Sequence, residues 1–382
     1  MKILYHHRIA SKDGQFVHVE EMIKAFRNLG HEILIVGPNI IEDDDFGSEG
    51  GLVSKMKKAI PGFAYELLEF IYNAVAFVRL VRAVYKFKPD IIYERYNLYF
   101  TCGIWVKKLF KIPLILEINA PIFDERSKYD GISLPSLAAW TENYCWKNAN
   151  YVLPVTQVLA NRVLQVRSSK KGIMVIPNGI DPDKFDKKGN KDQAKNRLGL
   201  QEKLVLGFTG FVREWHGLDR VIDLLAKLKN DSLHLLFVGE GPAREQLEIQ
   251  AKKLNVIDQI TFTGLVQRES VAEFLAAFDI ALQPDVVAYA SPLKLFEYLS
   301  LGHAIVAPDT QNIREVLENN VNALLFDVND KDAFSKAIEL FCNDDGLRTR
   351  LGDSAKLLIE TRQYRWVNNA EKVIALATQL IR

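Results

Sequence analysis

The sequence predicts an α/β protein built from two Rossmann-like halves, and three observations carry that reading. Strand-like apolar runs alternate with helix-like segments along all 382 residues, the order that gives parallel sheets covered on both faces. The alternation starts afresh in the second half. Between the two series lies the polar stretch "RSSKKGIMVIPNGIDPDKFDKKGNKDQ" (167–193), in which apolar periodicity fades and turn residues accumulate. The length suits two domains of roughly 150 to 200 residues each.

Taken in order, the strands of the first half are "KILY" (2–5), "EILIVGP" (32–38), "DIIYERY" (90–96), "LILEIN" (114–119) and "YVLPV" (151–155). Those of the second half are "KLVLGFTG" (203–210), "LHLLFVGEG" (233–241), "QITFTG" (259–264), "DIALQP" (279–284) and "AIVAP" (304–308). The expected domains are 1–170 and 171–361, with an amphipathic C-terminal helix in 362–382 packing back on the first. Two facing halves imply a ligand in an interdomain cleft, because open parallel sheets bind at the carboxyl ends of their strands. The most apolar run, Leu67 to Tyr85, contains Glu69, Arg79 and Arg82, which argues for an amphipathic helix over a membrane span.

Lys and Arg number 49 against 48 Asp and Glu, so no global field draws nucleic acid. Any anion has to be bound locally. Cys102, Cys145 and Cys342 are widely spaced without CxxC or zinc spacing, the pattern of core thiols in a reducing compartment. With no signal-like apolar core at the start, a cytoplasmic protein is expected.

Three strand ends carry candidate chemistry. After "LLFVG" the chain turns into a helix through Gly239, Glu240, Gly241 and Pro242, a turn whose N–H groups suit an anion. In "ASPLKLFEYLSLGHAIVAP" (290–308) Ser291 can cap a helix with Pro292 at its first position. The N–H groups of Leu293 and Lys294 then stay free at the positive helix end, Lys294 adds a full charge, and Glu297 shares its face. A phosphate would fit beside Lys294, and Glu297 could accept from a ribose. A surface Lys–Glu pair is the other reading. In "LGFTGFVREWHGLDRVIDLL" (206–225) Arg213 offers a planar fork for a diphosphate and His216 a donor at a helix start. Together the three loops point to a nucleoside diphosphate.

Two acidic clusters, Glu42 to Asp45 and Asp181 to Asp183, fall in loops where solvated acids are usual, so no metal is expected. Lys55, Lys57 and Lys58, interleaved with Met56, Ile60 and Phe63 and followed by the apolar helix with Arg79 and Arg82, could rest on an anionic bilayer or simply cover the sheet.

In the order and spacing of "GQFVHVEEMIKAFRNLGHEILIVGP", "VIPNGIDPDKF", "GFVREWHGLD", "VGEGPAREQLE", "SPLKLFEYLSLGHAIVAP" and "NIREVLENNVNALLF", the chain resembles the retaining nucleotide-sugar glycosyltransferases of the GT-B fold, specifically glycosyltransferase family four. The resemblance implies hexosyl transfer, with retention, from a UDP- or GDP-sugar to a glycan or lipid-linked acceptor. It implies bacterial envelope or exopolysaccharide assembly, at the inner membrane face if the acceptor is lipid-linked, and no cofactor. It places Arg213 as diphosphate clamp, Glu297 as ribose acceptor, Lys294 and the Leu293 backbone beside the phosphates, and Gly14 in the loop approaching the donor. His216, Gly239, Glu240 and Ser291 complete the donor set; Glu117, Asn119 and Glu125 are the acceptor candidates. Arg213, Lys294 and Asn119 stand nearest the chemistry.

The chain departs from the family pattern at Tyr289, which replaces a glutamate that usually meets the donor sugar. It departs again at His216, in place of the usual basic residue, and at Asn119, in place of a histidine. The last change removes an obvious base, although a retaining reaction in which the leaving phosphate takes the acceptor's proton needs none. A nucleotide-sugar 2-epimerase of the same plan and a degenerate nucleotide-sugar-binding protein remain as alternatives. A dinucleotide-dependent oxidoreductase does not fit, because the first strand lacks GxGxxG.

Overall fold

The structure is a computed structural model that describes residues 1–9, 14–38, 60–129, 131–186 and 190–381. It divides into two compact units: Met1–Asn178 with Tyr289–Ser291 and Trp366–Arg382, and Gly179–Ala288 with Pro292–Arg365.

The first unit holds five strands, β1 (Lys2–His6), β2 (Glu32–Val36), β3 (Ile91–Arg95), β4 (Leu114–Ile118) and β5 (Tyr151–Pro154), in the order β2-β1-β3-β4-β5. All its pairings are parallel. β3 and β4 are buried along their whole length, and the charges they bury are paired inside, Glu94 with His6 at 2.6 Å and Arg95 with Glu117 at 2.8 Å. The second unit holds β6 (Leu204–Thr209), β7 (Leu233–Val238), β8 (Ile260–Phe262), β9 (Ile280–Leu282), β10 (Ala304–Pro308) and β11 (Leu324–Phe326), in the order β11-β10-β9-β6-β7-β8, again all parallel. Alternation along its strands divides two cores: Leu206, Phe208, Leu235 and Phe237 pack on one face, Val205, Leu236 and Ala281 on the other.

Strand β11, absent from the sequence reading, is a three-residue edge strand paired Val306 to Leu324 with β10. The boundary between units falls at Asn178–Gly179 instead of 170–171. Its cause is backbone pairing: Val152 N–H donates to Gly172 O at 2.8 Å, Met174 N–H to Val152 O at 3.1 Å and Ile176 N–H to Pro154 O at 3.0 Å, tying this stretch to β5. The Trp366–Ile381 helix belongs to the first unit, where Trp366 meets His18 edge-on at 4.9 Å and Asn369 Nδ2 donates to Pro177 O at 2.7 Å.

The strand orders fix where ligands can be held. In the first sheet the direction of winding reverses between β1 and β3, in the second between β6 and β9. A crevice opens at the carboxyl ends of strands at such a reversal. In the second unit the loop after β6 is 210–213 and the chain leaving β9 leads to the Leu293–Leu301 helix.

Candidate active site

The side chain of Lys294 crosses the reversal point of the second sheet. Its Nζ lies 3.7 Å from the centre of the Phe208 ring at the end of β6, a favourable seat for a cation. A Cβ on Gly210 would come within 3.1 Å of the same nitrogen, and Gly210 has φ +131°, so only glycine leaves this passage open. The ammonium is shielded from solvent yet makes no hydrogen bond. Burial lowers its pKa to about 7, against the pull of Glu297. Glu297, one helical turn on, is raised to about 7, again chiefly by burial, with Lys294 and Arg268 working the other way. No ion pair joins Lys294 to Glu297 among the described residues, so the surface-pair reading fails.

The helix bearing both residues starts at Leu293 with Pro292 as its cap and no side-chain cap bond. Ser291 therefore does not cap it as expected. Its hydroxyl accepts the Asn178 N–H at 3.1 Å and its carbonyl accepts Asn178 Nδ2 at 2.5 Å, so it belongs with the first unit. The first N–H groups of the helix, at Leu293 and Lys294, have no acceptor among the described residues.

Arg213 stands exposed at the start of the Glu214–His216 turn, its guanidinium 4.8 Å from the Phe211 ring centre and 4.7 Å from that of Trp215. Two aromatic faces fix the plane of the fork without consuming its donors. His216 packs on Phe208 at 5.1 Å, and its Nδ1 accepts the Arg213 N–H at 3.3 Å. Burial, with the charges of Lys294 and Arg213, drives its pKa down to about 2. It is thus a neutral imidazole, with Nε2 left to donate.

The Gly239 turn plays a different part from the one expected. Gly239 N–H donates to Thr263 Oγ1 at 3.2 Å, Gly241 N–H to Glu240 Oε1 at 3.1 Å and Ala243 N–H to Val212 O at 3.2 Å, so these groups do not face an anion. Glu240 also holds Arg244 at 2.6 Å. The glycines serve close backbone packing: a Cβ at 239 would lie 2.2 Å from Gly210 O and one at 241 would lie 2.2 Å from Val212 O. This turn supports the loop that carries Arg213.

In the first unit, Glu117 at the end of β4 is the centre of a buried network. Tyr93 Oη donates to it at 2.6 Å, Arg95 Nη1 at 2.8 Å and Asn119 Nδ2 at 2.7 Å, with His18 Nδ1 at 3.3 Å. Burial alone would raise its pKa, but His18, Arg95, Tyr93 and Asn119 together hold it below the usual range. His18 itself is lowered to about 4 by burial. Glu117 is thus a fixed anchor with its oxygens engaged, and the group it presents is Asn119, whose Oδ1 is shielded and has no partner. Glu125 lies in the first turn of the Ile122–Tyr129 helix, and burial with the Glu125 charge pushes the Tyr289 hydroxyl up. Gly14 opens the exposed start of the Gly14–Asn28 helix. Sequence reasoning missed Phe208, Phe211, Tyr93, Arg95 and His18. The "IIYER" alternation was the one available signal, since it puts Tyr93 and Arg95 on one face.

No group of three or more metal-ligating side chains occurs among the described residues. Glu42 to Asp45, with Lys55, Lys57 and Lys58, lie outside those residues. Asp181 and Asp183 face Arg365.

Residues 12–184 match the family described as Glycosyltransferase Family 4, and residues 190–358 the one described as Glycosyl transferases group 1. An uncharacterized glycosyltransferase of Methanocaldococcus jannaschii is 23% identical over 96% of this chain and 95% of its own. The GDP-mannose-dependent alpha-mannosyltransferase of Mycobacterium tuberculosis is 22% identical over 81% of this chain and 79% of its own. Among solved structures, Anabaena HepE in complex with UDP aligns with a TM-score of 0.78 at 17% identity, over 99% of this chain and 100% of its own. The last likeness bears on the fold.

Proposed function

Because this chain belongs to the group 1, family 4 glycosyltransferases with the GT-B fold, we propose that it moves a hexosyl group from a UDP- or GDP-sugar to a hydroxyl of a glycan or lipid-linked acceptor. In this reading the anomeric configuration is retained and no metal ion takes part. Envelope or exopolysaccharide assembly at the inner membrane face is the proposed setting. The observation that carries the reading is the Lys294 ammonium, shielded and unpartnered over Phe208 at the end of β6. An anion is what such a group lacks.

The donor's diphosphate would sit between Lys294 and the stacked Arg213, with Glu297 accepting from the ribose hydroxyls. As the bond from the anomeric carbon to the phosphate oxygen breaks, negative charge grows on that oxygen. Lys294 and the helix start stabilise it in place, without reorganisation. The acceptor oxygen bonds to the same face of the anomeric carbon, and its proton passes to the departing phosphate. Asn119 Oδ1 would accept from another hydroxyl of the acceptor, which leaves the reacting hydroxyl's proton to the phosphate.

The test is a thermal-shift series with UDP, GDP and ADP in excess EDTA. One nucleoside diphosphate should raise the melting temperature, the equivalent of about 2.7 kcal/mol at a hundred times its Kd. A shift by none of them would contradict the donor reading. A shift seen only when Mg²⁺ or Mn²⁺ is supplied would overturn the metal-free part of it.

A further inference from the structure

We propose that Arg8 and Arg126 form a phosphate subsite in the first unit, with Glu69 as the carboxylate that fills it in the absence of a ligand. Its use, to hold a phosphate group carried by the acceptor, rests on the transfer reading above; its existence does not. Arg8 follows β1, Tyr99 and Phe100 follow β3, and Arg126 stands in the Ile122–Tyr129 helix that follows β4. All four therefore leave the carboxyl ends of strands at the winding reversal of the first sheet, where an open parallel sheet takes its ligands. The Gly62–Phe87 helix brings Glu69 and Tyr72 to the same place.

Three aromatic rings fix the two guanidinium groups. That of Arg8 lies 5.3 Å from the Tyr72 ring centre and 5.0 Å from the Phe100 ring centre, and that of Arg126 lies 5.4 Å from the Tyr99 ring centre. Rings set the plane of a guanidinium without using its N–H groups. Those N–H groups are in excess here. Arg126 Nη1 donates to Glu69 Oε2 at 2.9 Å, but Arg126 Nε is shielded without a partner. Arg8 makes no hydrogen bond among the described residues, and its shielded Nη1 stays 3.9 Å from Glu69 Oε1. Glu66, the other acid nearby, gives its oxygens to Tyr99 Oη, Ser133 N–H and Leu134 N–H, each at 2.7 Å. The two acids balance the two cations in charge, yet most of the donors go unused. A carboxylate offers two oxygens to these two forks; a phosphate offers three, arranged tetrahedrally, and can engage both at once. Because charge is already balanced, the phosphate has to replace Glu69 at the forks and cannot add to it. Arg8 and Glu69 keep 22% and 13% of their side chains exposed, so the exchange is open to solvent. A neutral polyol would instead use Glu69 as its acceptor, and the two ligand classes part on that residue.

The experiment is a thermal-shift titration of the full chain with inorganic phosphate and with glycerol phosphate, against sodium chloride and glycerol at matched concentrations. It is run in Lys294→Met, so that phosphate held at the donor seat is not counted. Both phosphates are expected to stabilise that protein. In the same background Arg8→Gln should weaken the binding at least about tenfold, whereas Glu69→Gln should tighten it about fivefold. A purely structural ion pair predicts no such tightening, and Glu69→Gln decides the matter even where Arg8→Gln fails to fold. With Lys294 intact, Arg8→Gln should keep the circular dichroism and the nucleotide-induced thermal shift of the wild type, which separates failure of this subsite from failure of the donor reading. No stabilisation of Lys294→Met by either phosphate, undiminished binding by folded Arg8→Gln, or unchanged or weaker binding by Glu69→Gln would overturn the proposal. So would stabilisation by glycerol equal to that by its phosphate, which would mark a polyol as the occupant, or a response to inorganic phosphate alone, since an acceptor's phosphate is an ester.

Discussion

With its Nζ over Phe208 and no acceptor in reach, Lys294 carries a charge that the protein alone does not balance. Lys294→Met keeps the length and removes the charge, so it should stabilise the ligand-free protein by about 1 kcal/mol at neutral pH and raise its melting temperature accordingly. The sign with pH follows from the shift. Lys294 titrates at about 7 in the folded chain against an ordinary 10.5, so between these values the unfolded chain holds more protons and stability rises with pH. The advantage of Lys294→Met should therefore be greatest below about pH 7 and shrink toward 10.5; melting curves of both proteins across that window test it. Charged residues at strand ends made Lys294, Glu297 and Arg213 legible in the sequence. Their environment was not, because Phe208 and the Tyr93–Arg95–Glu117 network join positions distant along the chain. His216 shows the limit most clearly: its residue type suggested a donor, and its burial beside Phe208, Lys294 and Arg213 is what holds it neutral well below pH 7.

At the scale of elements, the loops after β6 and β7 are locked backbone to backbone, Val212 N–H to Glu240 O at 2.9 Å and Gly210 N–H to Val238 O at 3.0 Å. Gly241→Ala would drive a methyl group to 2.2 Å from Val212 O and 2.5 Å from its nitrogen. Since backbone cannot step aside as a side chain can, a loss of roughly 1–3 kcal/mol is expected, with weaker nucleotide binding because the Arg213 loop shifts. Urea unfolding and nucleotide titration of the variant check both halves. The strands β1 to β10 coincide with the apolar runs, and in those buried along their whole length, such as β4, β7 and β10, burial leaves little choice of residue. β11 was not legible: three residues on a sheet edge carry too little pattern to separate from a turn. The glycine turn at 239 was legible as a turn but not as a brace, because the partner of a close backbone approach leaves no mark in the local sequence.

Over the whole molecule, the same winding reversal occurs in both units, and each places chemically apt side chains at the carboxyl ends of its strands. In the second these are Lys294, Glu297 and Arg213; in the first, Asn119 on its Glu117 anchor. The central claim is that the reversal between β6 and β9 seats a nucleoside diphosphate through Lys294. The most direct measurement is calorimetric titration of that nucleotide, once identified by thermal shift, into the wild type, Lys294→Met and Glu297→Ala, with folding checked by circular dichroism. The account predicts that Lys294→Met binds at least about tenfold more weakly, since a charge-assisted contact is lost, and that wild-type binding above pH 7 takes up a proton as the ammonium gains its partner. Glu297→Ala should weaken binding without removing that uptake. A folded Lys294→Met protein that binds with wild-type affinity, or a wild type that takes up no proton on binding above pH 7, would contradict it.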